Sequence, residues 1–156
     1  MQRLKKKPLF HPLSCWDIAS WRKRNFFDIL QFKKLVAKYI WHLDENEIER
    51  RDFQAIIVTD IQERIIWTSR GFTSMTGYSA EFAVGRRPSF LKGRRTDPVI
   101  RQKIRKAIEE RKTVSVTLIN YRKSGAAYNY QVEIIPLHKH RNQVINFLAI
   151  ERKVGF

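Results

Sequence analysis

Cysteine is almost absent from this chain: Cys15 is the only one in 156 residues. A single thiol excludes any internal disulfide and any metal site built from several cysteines, and it suits a reducing compartment. Long apolar runs are missing too, and none approaches the roughly 20 residues a membrane-spanning helix needs. The start, MQRLKKKPLFHPLSCWDIASW, has a basic head, but Pro8, His11, Pro12 and Asp17 break the apolar stretch of a signal peptide. These absences read as a cytoplasmic chain that does not enter a membrane. Histidine is scarce and scattered, at His11, His42, His138 and His140. None stands beside a serine or cysteine in a nucleophile motif, and His138 and His140 have no carboxylate close by to complete a metal set. Neither an enzyme nor a metal centre is expected.

Acidic residues are few, 15 against 31 Lys and Arg, which leaves a net charge of +16. Such an excess suits a polyanionic partner. It is densest between Arg86 and Lys112, where only Asp97, Glu109 and Glu110 oppose it. Read as a polyanion site, this block offers Arg86, Arg87, Arg94, Arg95, Arg101, Arg105 and Lys112, the last three spaced to share a helix face. The block reads equally as a solvated face, or as a dock for the acidic run 44–52. Aromatic interleaving is sparse and no helix-turn-helix or zinc-finger pattern appears, so nucleic acid stands second to a protein partner.

What is present divides the chain in three. Residues 1–13 read as a flexible basic tail. Residues 14–52 read as a helical arm and linker. A capping pair at Ser14 and Asp17 starts a short helix presenting Trp16, Ile18, Ala19 and Trp21. Phe32, Leu35, Val36, Tyr39, Ile40 and Leu43 then recur at one-face helical spacing, which predicts a helix over 26–43. That stripe packs on its own domain, or else serves as a dimer or docking surface. Cys15 is expected to pack as a small apolar group.

From Phe53 the period becomes strand-like. FQAIIVTD and RIIWTS predict a hairpin, and GFTSMTGYSAEFAVG predicts short helical turns. Asp97-Pro98 opens a longer helix with Ile100, Ile104, Ala107 and Ile108 as its buried stripe. Three strands follow over 113–121, 128–137 and 143–151, with Lys123-Ser124-Gly125 as the turn between the first two.

This order, with MTGY at Met75–Tyr78, GRRPSFLKGRRTDP at Gly85–Pro98 and INYRKSG at Ile119–Gly125, resembles a PAS domain over 53–154. Within that family the segments lean toward the light-oxygen-voltage branch. The resemblance implies an α+β fold: a five-stranded antiparallel sheet with short helices on one face, a pocket between, and the helical arm as an extension. It implies a stand-alone sensory module acting through protein–protein contacts or homodimerisation, with a shift in the arm's packing as its output.

The branch's flavin-site residues map unevenly. The photoactive cysteine falls on Pro88, the neighbouring phosphate-binding arginine on Ser89, and the next glutamine on Lys92. Arg105 and Asn120 match, while a ring-binding asparagine falls on Tyr130 and the last-strand glutamine on Glu151. On this count no cofactor is expected and flavin is argued against, since Pro88 carries no thiolate to form an adduct. Pro88, Lys92, Arg105, Asn120, Tyr130 and Glu151 are the candidate pocket residues for some other small ligand. The alternative, slightly preferred, is a pocket filled by Phe90, Phe147 and Ile134. Lys92 is a conceivable partner for Glu151.

Overall fold

The computed structural model describes residues 15–155, with side chains described from Phe26 onward. The tail 1–13, the capping pair at Ser14 and Asp17, and the side chains of Cys15, Trp16, Ile18, Ala19 and Trp21 lie outside the described residues. Five strands form one antiparallel sheet in the order β2-β1-β5-β4-β3: β1 Ala55–Asp60, β2 Ile65–Thr68, β3 Val114–Tyr121, β4 Ala127–Lys139 and β5 Gln143–Lys153. Between β2 and β3 run α3 Arg70–Thr76, α4 Ala80–Ala83, a short 3₁₀ turn at Pro88–Leu91, and α5 Pro98–Glu109. The N-terminal part supplies α1 Cys15–Tyr39 and α2 Glu45–Arg50. Among the described residues no helix is long and apolar enough to cross a membrane.

Strand alternation explains the two layers. Ala55 and Ile57 of β1 join Phe72, Met75, Leu91, Val116, Leu118 and Val132 in a core on the inner face. Ile56 and Val58 point the other way and meet Ile29, Phe32 and Val36 of α1, together with Ile48, Leu148 and Ile150. The central strand is thus buried on both faces. Each of those aliphatic or aromatic side chains contributes about 1.5–3 kcal/mol when taken from water.

The expected short helix and the 26–43 helix are one element that stops at Tyr39. Ile40 turns left-handed (φ 56°), and the Trp41 N–H reaches back to the Val36 carbonyl at 3.2 Å. This is the bond pattern that closes helices with a left-handed residue, and Trp41 and Val36 share one core cluster, as that motif favours. The stop swings Trp41 onto the sheet. Its indole Nε1 donates to Asn146 Oδ1 at 3.0 Å, and Asn146 Nδ2 donates to the Thr59 carbonyl at 3.0 Å. The periodic stripe could not report this, because the turn depends on a partner about a hundred residues away. Asp44 then caps α2 by accepting from the Asn46 N–H. The acids of 44–52 do not dock on the Arg86–Lys112 block. Glu49 pairs with Lys33 at 2.8 Å, and Arg51 lies between Glu47 and Glu133.

A second tie crosses from α1 to the inner layer. Asp28 is buried and accepts from the backbone N–H groups of Arg70 (3.0 Å) and Gly71 (3.3 Å), so a side chain of α1 caps α3. Ser69, the local candidate for that task, instead accepts from the Ile56 N–H. Gly71 is required by close approach: a Cβ there would collide with the Gln54 carbonyl oxygen. Asp28→Ala is expected to lower stability by about 1–2 kcal/mol in urea unfolding, the range of lost helix caps. An unchanged midpoint would show that Asp28 does not hold α3.

Candidate functional site

The helix α5 keeps its distance from the sheet. Asp97 caps it by accepting from the Val99 N–H at 2.8 Å, and Pro98 occupies the first turn. The expected buried stripe of Ile100, Ile104, Ala107 and Ile108 is only half-buried, because between α5 and the inner sheet lies a cavity of about 680 Å³. That volume falls within the range of small-molecule and cofactor sites. Ile134 and Phe147 line the cavity rather than fill it. Phe90 does not line the cavity and packs instead against Tyr78 and Phe82, with centroids 4.9 and 5.3 Å apart. The pocket is therefore open, against the expectation of a filled one.

All six candidate pocket residues, Pro88, Lys92, Arg105, Asn120, Tyr130 and Glu151, line this one cavity. Register explains the deep end. Glu151 of β5 pairs across to Ala55 of β1 and Val132 of β4, while Leu118 opposes Tyr130 and Asn120 opposes Tyr128. All these side chains point inward, with Tyr130 diagonal to Glu151. The Asn120 amide donates to the Tyr130 hydroxyl at 2.9 Å. The Glu151 Oε2 and the Tyr128 hydroxyl are buried without a hydrogen-bond partner. Burial pushes the Glu151 carboxyl up to about 8, so it is a neutral acid at pH 7. Burial likewise raises the Tyr128 and Tyr130 phenols, reinforced by the nearby Glu151 carboxyl. Lys92 does not answer Glu151, as no salt bridge joins them.

Lys92 belongs to the opposite end. There Arg87, Lys92, Arg101 and Arg105 line the cavity, with Glu63 the acid among them. Burial pulls the Lys92 ammonium below its ordinary value, and the neighbouring Arg101 and Arg105 charges add to this while Glu63 opposes it. Four cations with one acid among them suit a multiply charged anion. Ahead of α5, Thr96 donates to the Ile119 carbonyl at 2.7 Å and Tyr121 accepts from the Arg95 N–H at 3.0 Å. Gly93 is needed here, because any Cβ would run into the Tyr121 ring.

The remaining cations scatter. Arg86 lies over the Phe82 ring and donates to the Phe82 carbonyl, and Arg87 donates to the Gln62 carbonyl. Arg94 and Arg95 stand exposed on the loop before α5. Lys112 does not share a helix face with Arg101 and Arg105, since α5 ends at Glu109 and Lys112 pairs with Glu110 at 2.9 Å. His140 meets His42 edge-on at 5.4 Å, and among the described residues no group of three or more potential ligands could hold a metal. Sequence reasoning did not assign Arg101 or Arg87 to the pocket. Arg101 sits one turn before Arg105, so its spacing held the clue.

A family profile described as PAS domain matches residues 54–152. The chain belongs to the PAS domain family, and it is a sensory signal-transduction module similar to light-oxygen-voltage domains. A blue-light photoreceptor of Listeria innocua is 37% identical over 102 residues, covering 64% of this chain and 40% of the relative. Among solved structures, the light state of the blue-light photoreceptor Aureochrome1 LOV superposes with a TM-score of 0.64 at 34% identity, covering 66% of this chain and 83% of that one. A light-oxygen-voltage domain studied with a flavin analogue matches at TM-score 0.64 and 32% identity, covering 70% of this chain and 81% of that one. The chain spans less than half the length of the curated photoreceptor it matches.

These relatives overturn the expectation that flavin is absent. The substitutions at Pro88, Ser89, Lys92, Tyr130 and Glu151 each change a single contact, whereas the cavity as a whole fits such a group. It has the volume, a cationic end for a phosphate, and an unpartnered Glu151 oxygen at the deep end, where a neutral acid offers both donor and acceptor as an amide would.

Without any ligand, Glu151 makes stability depend on pH. Its carboxyl titrates near 4.5 in the unfolded chain and near 8 in the folded one. Between those values the unfolded state binds fewer protons, so stability falls as pH rises, by at most roughly 1.4 kcal/mol per pH unit, and levels off above. Urea unfolding at pH 5, 6.5 and 8 is expected to show this decline in the wild type and a flatter profile in Glu151→Gln. Parallel profiles would mean that Glu151 does not carry the effect.

Proposed function

We propose that residues 53–154 form a light-oxygen-voltage-type sensor whose cavity takes a phosphorylated flavin. Its state passes to a protein partner or a second copy through the arm at 14–52. The observation that carries this reading is the cavity itself, polar and unpartnered at its deep end and cationic at the other. A bound flavin supplies absorbance of blue light. Arg101, Arg105 and Lys92 would hold the phosphate through charge-assisted hydrogen bonds. Ile57, Leu118, Ile104 and Ile134 would exclude water, and Tyr130 and Glu151 would offer polar groups at the deep end.

The module works without a thiol adduct. Pro88 stands where the reactive cysteine of the branch falls, and Cys15, the only thiol, is at the start of α1. The role is sensing rather than catalysis. A small anion at the cavity mouth is favoured over nucleic acid, because Arg101 and Arg105 face the cavity and the other cations of the block are not gathered on one face.

Purified protein is expected to show flavin absorbance, with flavin mononucleotide released on denaturation, or to take up that compound when it is added. Arg101→Glu with Arg105→Glu is expected to weaken uptake by about tenfold or more, as for lost charge-assisted hydrogen bonds. A colourless protein that binds no added flavin would overturn the reading.

For the output arm, removal of residues 1–43 uncovers Ile56, Val58 and Leu148 on the outer face. It is expected to destabilise the domain and change its oligomeric state in size-exclusion chromatography. Unchanged stability and unchanged size would remove the arm from the mechanism.

A further inference from the structure

Glu151 is the one acid at the deep end of the cavity, and nothing in the fold pairs its Oε2. The side chain is 3% exposed, sits on β5 between Ala55 and Val132, and borders the cavity. A buried acid in that setting costs free energy unless an occupant completes its hydrogen bonding. The groups facing it are Tyr128 and Tyr130 from β4 and Asn120 from β3, whose amide already serves Tyr130. Arg122 lies beyond Tyr128, 5.2 Å from the ring centroid. To the core on this face α3 supplies only the uncharged Phe72 and Met75. The charged groups of the cavity, Glu63, Arg87, Lys92, Arg101 and Arg105, come from the β1–β2 turn, the segment before α5, and α5 itself.

Resting on the flavin reading above, we propose that Glu151 grips the inner edge of the occupant as a proton-bearing donor, so that loss of this proton releases the ligand and the sensor reads pH together with its ligand. The chemistry recognised is a ring edge that accepts a hydrogen bond. An ionised carboxylate offers acceptors only, and it would face that edge with like polarity in a site without water. Burial is the cause that places the titration of Glu151 in reach of ordinary pH, near 8. The cations across the cavity are not among the causes that move it. A glutamine at this position would keep a donor at every pH, so it is the glutamate that makes occupancy conditional.

The test is the affinity of the full chain for added flavin mononucleotide, read by fluorescence quenching from pH 6.5 to 9.5. In the wild type, Kd is expected to rise by up to about tenfold per pH unit once Glu151 ionises. In Glu151→Gln the rise is expected to be clearly smaller, because the titrations of the flavin and of Lys92 are common to both proteins and the difference between the two profiles isolates Glu151. Should the variant not fold, the wild type suffices. Calorimetry with riboflavin at pH 9 in two buffers of different ionisation enthalpy is expected to show about one proton taken up per ligand bound. Riboflavin has no phosphate to recruit a proton to Lys92. Binding that is tight but equally pH-dependent in both proteins, or binding without proton uptake, overturns the role of Glu151 and leaves the flavin reading standing. No binding by either protein at any pH overturns the flavin reading and this inference with it.

Discussion

The constraint on which the rest of the structure depends is that β1 is apolar on both faces. Ala55 and Ile57 face one way, Ile56 and Val58 the other, and all four are buried. A strand of this kind is stable only between two layers. On the outer side the cover is α1, with Phe32 and Val36 seated over Ile56, Val58 and Leu148. On the inner side the cover is divided between α3, which packs directly, and α5, which stands off and leaves a cavity. The arm is therefore a structural layer of the domain as well as a candidate for its output.

The two layers communicate through short polar contacts. Asp28 caps α3 from across the sheet edge, and the Trp41–Asn146–Thr59 chain pins the end of α1 to β5 and β1. The α3 helix in turn supplies Phe72 and Met75 to the core that borders the cavity. A change of occupancy that moved α3 would alter the N–H groups that Asp28 accepts from, and so bear on α1.

The cavity joins two kinds of electrostatic tension. At one end, burial takes part of the basicity of Lys92, and the Arg101 and Arg105 charges beside it add to the loss. At the other, a carboxyl without partners stays protonated in an apolar wall. Both tensions cost folding free energy, and both are of the sort that a ligand with an anionic tail and a hydrogen-bonding ring relieves. A site that is unfavourable when empty and satisfied when filled is one whose occupancy can change the rest of the domain.

The order of strands, the turn at Lys123-Ser124-Gly125, the Asp97-Pro98 helix start and the family itself were legible in the sequence, since alternation, caps and turns are local physics. Asn120, Tyr130 and Glu151 were named as pocket residues through the resemblance, and the structure seats all three at one cavity. Other features were decided only by tertiary structure. The end of α1 at Tyr39 depends on Trp41 finding Asn146. The cap of α3 comes from Asp28, 42 residues away from Arg70. The openness of the pocket depends on Phe90 packing with Tyr78 and Phe82 away from the cavity, and on α5 holding its isoleucines half-buried. Judged position by position, the replaced side chains argued against flavin, but a binding site is set by the volume and charge that remain when all the walls are assembled. Sequence determines which face a residue takes because that depends on its neighbours in the chain, whereas the space between faces depends on elements far apart in sequence, and only packing sets it.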